Sequence, residues 1–104
     1  MTMLTTDQIS HYRNKGYISP VSAFTSIEVK EIRKEIEKIE KNWPGALNGI
    51  NRNYVHLISP LLNKICLNKN ILDAVESIIG KNILICGTTL FIKEKNEKGF
   101  VSFH

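Results

Sequence analysis

The sequence predicts an α+β fold in a single partial domain, with residues 1–80 mainly helical and residues 81–104 extended. Three observations carry this expectation. Two capping boxes, Thr5–Gln8 and Thr25–Glu28, each precede residues at helical spacing, which is how helix starts are written. After Gly80 the period changes, and residues 82–94 (NILICGTTLFIKE) are β-branched and aromatic-rich, as strands are. Helices first and strands last is an α+β order.

The first element opens at Thr5, whose hydroxyl is expected to accept from the N3 amide while Gln8 reaches back. Ile9 and Tyr12 follow at helical spacing, and Gly16 is placed to end the helix in the left-handed region. Tyr17–Val21 reads as a short extended segment, which Pro20 confines to an edge or an end. In the second helix Val29, Ile32, Ile36, Ile39 and Trp43 fall at steps of three and four and form one apolar stripe. Glu37–Lys41, Glu31–Lys34 and Glu35–Lys38 can pair on the other faces, each for a few tenths of a kcal/mol. Pro44-Gly45 stops it.

Residues 44–53 (PGALNGINRN) form a turn-rich loop. Tyr54–Ile58 is expected to be extended up to Ser59-Pro60, with a short helix over Leu61–Leu67. A further helix runs from an Asn70 cap, with Asp73 in its first turn, to Gly80. Glu94–Gly99 supplies a polar turn, and Phe100–Phe103 starts another strand.

At 104 residues and 42% hydrophobic, the chain suits one domain and is too apolar for intrinsic disorder. No apolar run approaches the roughly 18 residues of a membrane span. The N-terminus MTMLTTDQ lacks the basic and apolar regions of a signal peptide. Cys66 and Cys86 lie in apolar stretches and read as buried thiols in a reducing compartment. The expectation is a cytoplasmic protein with no membrane partner. The net charge of +4 is spread along the chain, and residues 28–41 balance five acids against five bases. No stripe able to neutralise a row of phosphates results, so no nucleic-acid partner is expected.

Few residues offer chemistry. There is no G-x-S-x-G, phosphate loop, paired zinc-ligand spacing or Cys-x-x-Cys. The carboxylates of the second helix lie on a solvated face, without the burial that tunes a catalytic acid. His11 reads as a surface residue. His56, on an apolar segment, either meets a backbone carbonyl or faces a pocket.

The order of segments resembles the N-terminal part of the phytanoyl-CoA dioxygenase family, non-haem Fe(II)/2-oxoglutarate oxygenases. Leu4-Thr5, Gln8-Ile9, Tyr12, Gly16-Tyr17 and Pro20 match an opening like L-T-x-x-Q-I-x-x-Y-x-x-x-G-Y-x-x-P. The charged helix at Ile27–Lys41 follows, then His56–Pro60 as H-L-I-S-P, and Ile71–Glu76 with Gly80 as I-L-D-A-V-E-x-x-x-G. Leu90–Glu94 matches L-F-I-K-E, and Gly99–His104 matches the start of a G-F-V-S-W-H-Q-D block, with Phe103 in place of the tryptophan. These six pieces stand in register from Leu4 to His104.

The resemblance implies that residues 83–104 are the first strands of an incomplete double-stranded β-helix, buttressed by the helices. It implies Fe(II) and 2-oxoglutarate as cofactors and a small organic molecule as the substrate to be hydroxylated. His104 aligns with the first histidine of the H-x-D metal pair. Thr89 resembles a position lining the 2-oxoglutarate pocket, Lys93 could neutralise the pocket mouth, and His56 could face the substrate. One imidazole does not hold iron at a useful level, so these residues alone are not expected to turn over. Two rival expectations stand beside this one. In the first the chain is a non-enzymatic interaction module whose strands add to a partner's sheet. In the second it is one half of a split oxygenase completed by a complementary C-terminal fragment.

Overall fold

The computed structural model describes residues 3–100. Helix α1, Thr6–Lys15, begins with its capping box closed: the Gln8 amide donates to Thr5 Oγ1 (3.2 Å) and the Thr5 amide to Gln8 Oε1 (2.9 Å). Gly16 ends it at φ 82, a left-handed position that glycine takes without steric cost. The Ser19–Pro20 peptide bond in the following segment is cis. Helix α2, Ser26–Asn42, starts the same way, with the Glu28 amide on Thr25 Oγ1 and the Thr25 amide on Glu28 Oε2. Its stripe buries only in the middle and towards the end. Ile39 is buried, Ile32 and Ile36 are half-buried, and Val29 and Trp43 at the two ends are exposed. Glu37 pairs with Arg33 (2.9 Å) rather than with Lys41.

The chain then makes two single turns of 3₁₀ helix, Gly49–Arg52 and Val55–Leu57. The second corrects the expectation of an extended Tyr54–Ile58. Tyr54 adopts a left-handed conformation (φ 55), and the amides of Leu57 and Ile58 fold back onto the carbonyls of Tyr54 and Val55. Val55 thereby enters the core while Leu57 and Ile58 stay exposed. Helix α3, Pro60–Cys66, is capped by the buried Ser59, with Pro60 in the first turn where its missing N–H costs nothing. Helix α4, Lys69–Ile79, is capped by Asn68, whose Oδ1 accepts from the Ile71 amide, and not by Asn70. Asn70 instead donates to the Ala23 carbonyl from beyond the cap. Asp73 is not in the first turn; it is buried one turn further along, held by Lys69 Nζ at 2.7 Å.

The principal core joins α2, the 44–53 loop, the second 3₁₀ turn and α3 through Ile39, Leu47, Val55 and Leu62. Ile36, Ala46, Ile65 and Leu90 pack against it. A smaller contact ties the N-terminus to α4, where the Leu4 amide donates to Ser77 Oγ at 3.0 Å beside the buried Ala74.

The expected α+β fold is overturned. The described residues are helical and contain no β-strand, so the first strands of a double-stranded β-helix are not formed. Residues 81–93 carry no regular secondary structure and make one isolated antiparallel bridge, Asn53 to Thr89. Its backbone bonds run from Tyr54 N to Thr88 O (2.7 Å) and from Leu90 N to Arg52 O (2.9 Å). A ladder needs a partner that stays extended, and here both sides of Asn53 wind into 3₁₀ turns. The pairing therefore cannot propagate. Of the further strand expected at Phe100–Phe103, Phe100 is exposed and 101–104 lie outside the described residues.

Candidate functional site

The site is the crossing of residues 81–93 over the two 3₁₀ turns. Arg52, at the end of the first turn, fastens it. Its Nε donates to the Leu47 carbonyl (2.8 Å) and its Nη1 to the Ile92 carbonyl (3.2 Å), linking the core loop to the crossing segment. Tyr54 and Gly87 approach closely, since a Cβ at position 87 would stand 3.3 Å from Tyr54 Cε1. Absence of a side chain there lets the segment lie against the tyrosine ring.

His56 occupies the middle of this crossing. Its ring is half-buried, with Nδ1 2.6 Å from Thr88 Oγ1, and the same oxygen accepts from the His56 amide at 3.4 Å. The rings of Tyr54 and His56 are tilted by 55° with centroids 6.4 Å apart. His56 thus meets a hydroxyl, the partner the sequence did not single out.

Thr89 and Lys93 share one side of the segment with Phe91, as alternation along an extended chain requires, and all three are exposed. Thr88, Leu90 and Ile92 face inward. Thr89 Oγ1 donates to Asn53 Oδ1 at 2.9 Å and does not approach His56 by any described contact. Lys93 lies on a separate open groove of about 550 Å³ between residues 91–94 and α2, opposite Glu37 and Glu40. A second cleft, about 310 Å³, lies between α2, α3 and the start of α4, with Phe24, Ile32 and Ile65 in its wall and Glu28 and Lys64 among its charged residues. His56 lines neither.

The other sequence candidates are scattered. His104 lies outside the described residues. His11 is exposed and meets Tyr17 edge-on at 5.1 Å. Cys66 is half-buried, whereas Cys86 is exposed, against the expectation of two buried thiols. Among the described residues no three His, Cys, Asp or Glu side chains converge so as to hold a metal ion. They therefore do not by themselves fit iron, whose tight binding needs several ligands in fixed geometry. No described helix is long and apolar enough to cross a membrane.

Sequence reasoning missed Thr88 and Arg52. The signal for Thr88 was present as a threonine pair, Thr88-Thr89, of which one must face inward; the register decides which. Comparison with protein-family models, curated proteins and solved structures finds no match for this chain.

Proposed function

We propose that this chain is the N-terminal part of an Fe(II)/2-oxoglutarate-dependent dioxygenase of the phytanoyl-CoA dioxygenase type, which hydroxylates a small organic substrate. The observation that carries the reading is the register of six family-like segments from Leu4 to His104. A spatial relation supports it: His56, which opens the H-L-I-S-P segment, meets Thr88, two residues before the L-F-I-K-E segment. In this reading His104 is one iron ligand, Thr89 and Lys93 serve 2-oxoglutarate, and His56 contacts the substrate. The remaining metal ligands come from residues that follow, on the same chain or on a second polypeptide.

The test is direct. A protein comprising these residues and the following H-x-D and distal histidine ligands is expected to convert 2-oxoglutarate to succinate with Fe(II) and ascorbate. His104→Ala is expected to abolish that turnover, and residues 1–104 alone should form no succinate above the same control. Turnover indifferent to His104→Ala, or a reading frame that supplies no such ligands in either place, overturns the proposal. A second reading, an interaction module without catalysis, is favoured by Leu84 and Phe91, which are 89% and 79% exposed on a segment with a single bridge. A stable monomer by light scattering from a gene that ends at His104 supports it.

A further inference from the structure

We propose that Thr88 sets the tautomer of the neutral His56 ring, donating to Nδ1 and presenting Nε2–H as a donor to a carbonyl or carboxylate oxygen of a ligand. A hydroxyl has one proton and can accept at its lone pairs. Thr88 Oγ1 already accepts from the His56 amide (3.4 Å) and lies 2.6 Å from Nδ1. Among the described residues Nδ1 is the one acceptor within reach of the hydroxyl proton. With the hydroxyl proton given to Nδ1, that nitrogen is unprotonated and the ring proton resides on Nε2. In the opposite tautomer the two N–H groups would occupy both lone pairs of the oxygen, and the hydroxyl proton would have no described protein acceptor.

Nε2 makes no described protein hydrogen bond, and no buried side-chain nitrogen lacks a partner, so Nε2 is open to solvent. An N–H at that position selects acceptor oxygens and rejects cations and metal ions. Thr88 is thus a positioning residue: it touches His56 and fixes what His56 can recognise. Thr89, tied to Asn53, cannot substitute for it. The ligand half of this inference rests on the reading of His56 as a substrate contact; the tautomer half does not.

Ring ¹⁵N spectra of His56, recorded with the imidazole neutral, test the tautomer without any cofactor. The Nε2–H pattern is expected in the parent protein and in Thr88→Ser. Thr88→Val is expected to raise the Nδ1–H population several-fold, while slow exchange of the Tyr54 amide verifies that its backbone bond to Thr88 persists. An Nδ1–H pattern in the parent, or equal populations in the parent and Thr88→Val, overturns the inference whatever the chain catalyses. In the ligand-complete protein Thr88→Val is expected to raise KM several-fold with little change in kcat, and Thr88→Ser to restore it. An unmoved KM overturns the positioning role even if the tautomer is as stated.

Discussion

Glu28 fills two roles at one helix start: its amide donates to Thr25 Oγ1, and its carboxylate accepts from the Thr25 amide (2.7 Å) and hydroxyl (3.0 Å). Those bonds, the backbone one first, hold its carboxyl below the ordinary value. A carboxyl lowered on folding adds stability that is complete above its unfolded pKa and is lost as pH falls through the lowered folded value. Glu28→Gln, which keeps an acceptor but no charge, is therefore expected to flatten the acid limb of the helical signal in far-UV circular dichroism. An unchanged acid limb counts against the role. Both capping boxes could be read from four adjacent residues because a cap is local chemistry. The Thr88–His56 contact could not, since it depends on which threonine turns inward. The inward set runs Ile83, Ile85, then Thr88, Leu90 and Ile92, so the alternation slips by one at Gly87. Thr89, Phe91 and Lys93 do share a face as parity required, but His56 lies on the other. Asn68 and Asn70 are an equally local ambiguity, because either asparagine could have capped α4.

At the scale of elements, the crossing segment depends on few attachments. Two backbone bonds, the Arg52 guanidinium and the Thr88 and Thr89 hydroxyls join residues 88–92 to the 3₁₀ turns and the Asn53 between them. Removing one partner of a hydrogen-bonded pair costs about 1–3 kcal/mol when the remaining group is shielded from water. Arg52→Ala strips the bonds to the Leu47 and Ile92 carbonyls together. Its expected signature is faster hydrogen exchange at the Leu90 amide, with α2 and α4 little altered; uniform acceleration across all helices would contradict this. The helices were legible from capping and period, which act within a few residues. The strand was not, because β-structure belongs to a pair of segments and the composition of one describes half of it. Residues 82–94 carry strand chemistry, but their described neighbour turns at Gly49–Arg52 and again at Val55–Leu57. The V-H-L-I run suited a strand equally well, and the left-handed Tyr54 that breaks it is a non-glycine exception.

Over the whole molecule, the solvent-accessible surface is 8632 Å² and the radius of gyration 16.0 Å. A folded monomer of 11.8 kDa ordinarily exposes about 5900 Å², and a 100-residue domain has a radius near 13 Å. The chain is open, and its stability rests on a small core. Leu47, 2% exposed, is the most enclosed side chain of that core. Leu47→Ala is expected to cost about 2–3 kcal/mol, a large share of what a small domain has. The urea midpoint should fall accordingly; a shift within error would mean the core is elsewhere. Neither the size of this core nor its exposure was legible in composition, since the 42% apolar content does not say which apolar residues meet.

Trp43 closes α2 and is 60% exposed, outside the small core. Its emission in the native protein consequently reports a largely hydrated chromophore, and loss of the Leu47 cluster shifts that colour less than it would shift that of a buried tryptophan. Unfolding curves taken from tryptophan fluorescence would make a cooperative protein look featureless, so the transition has to be read from backbone signals instead.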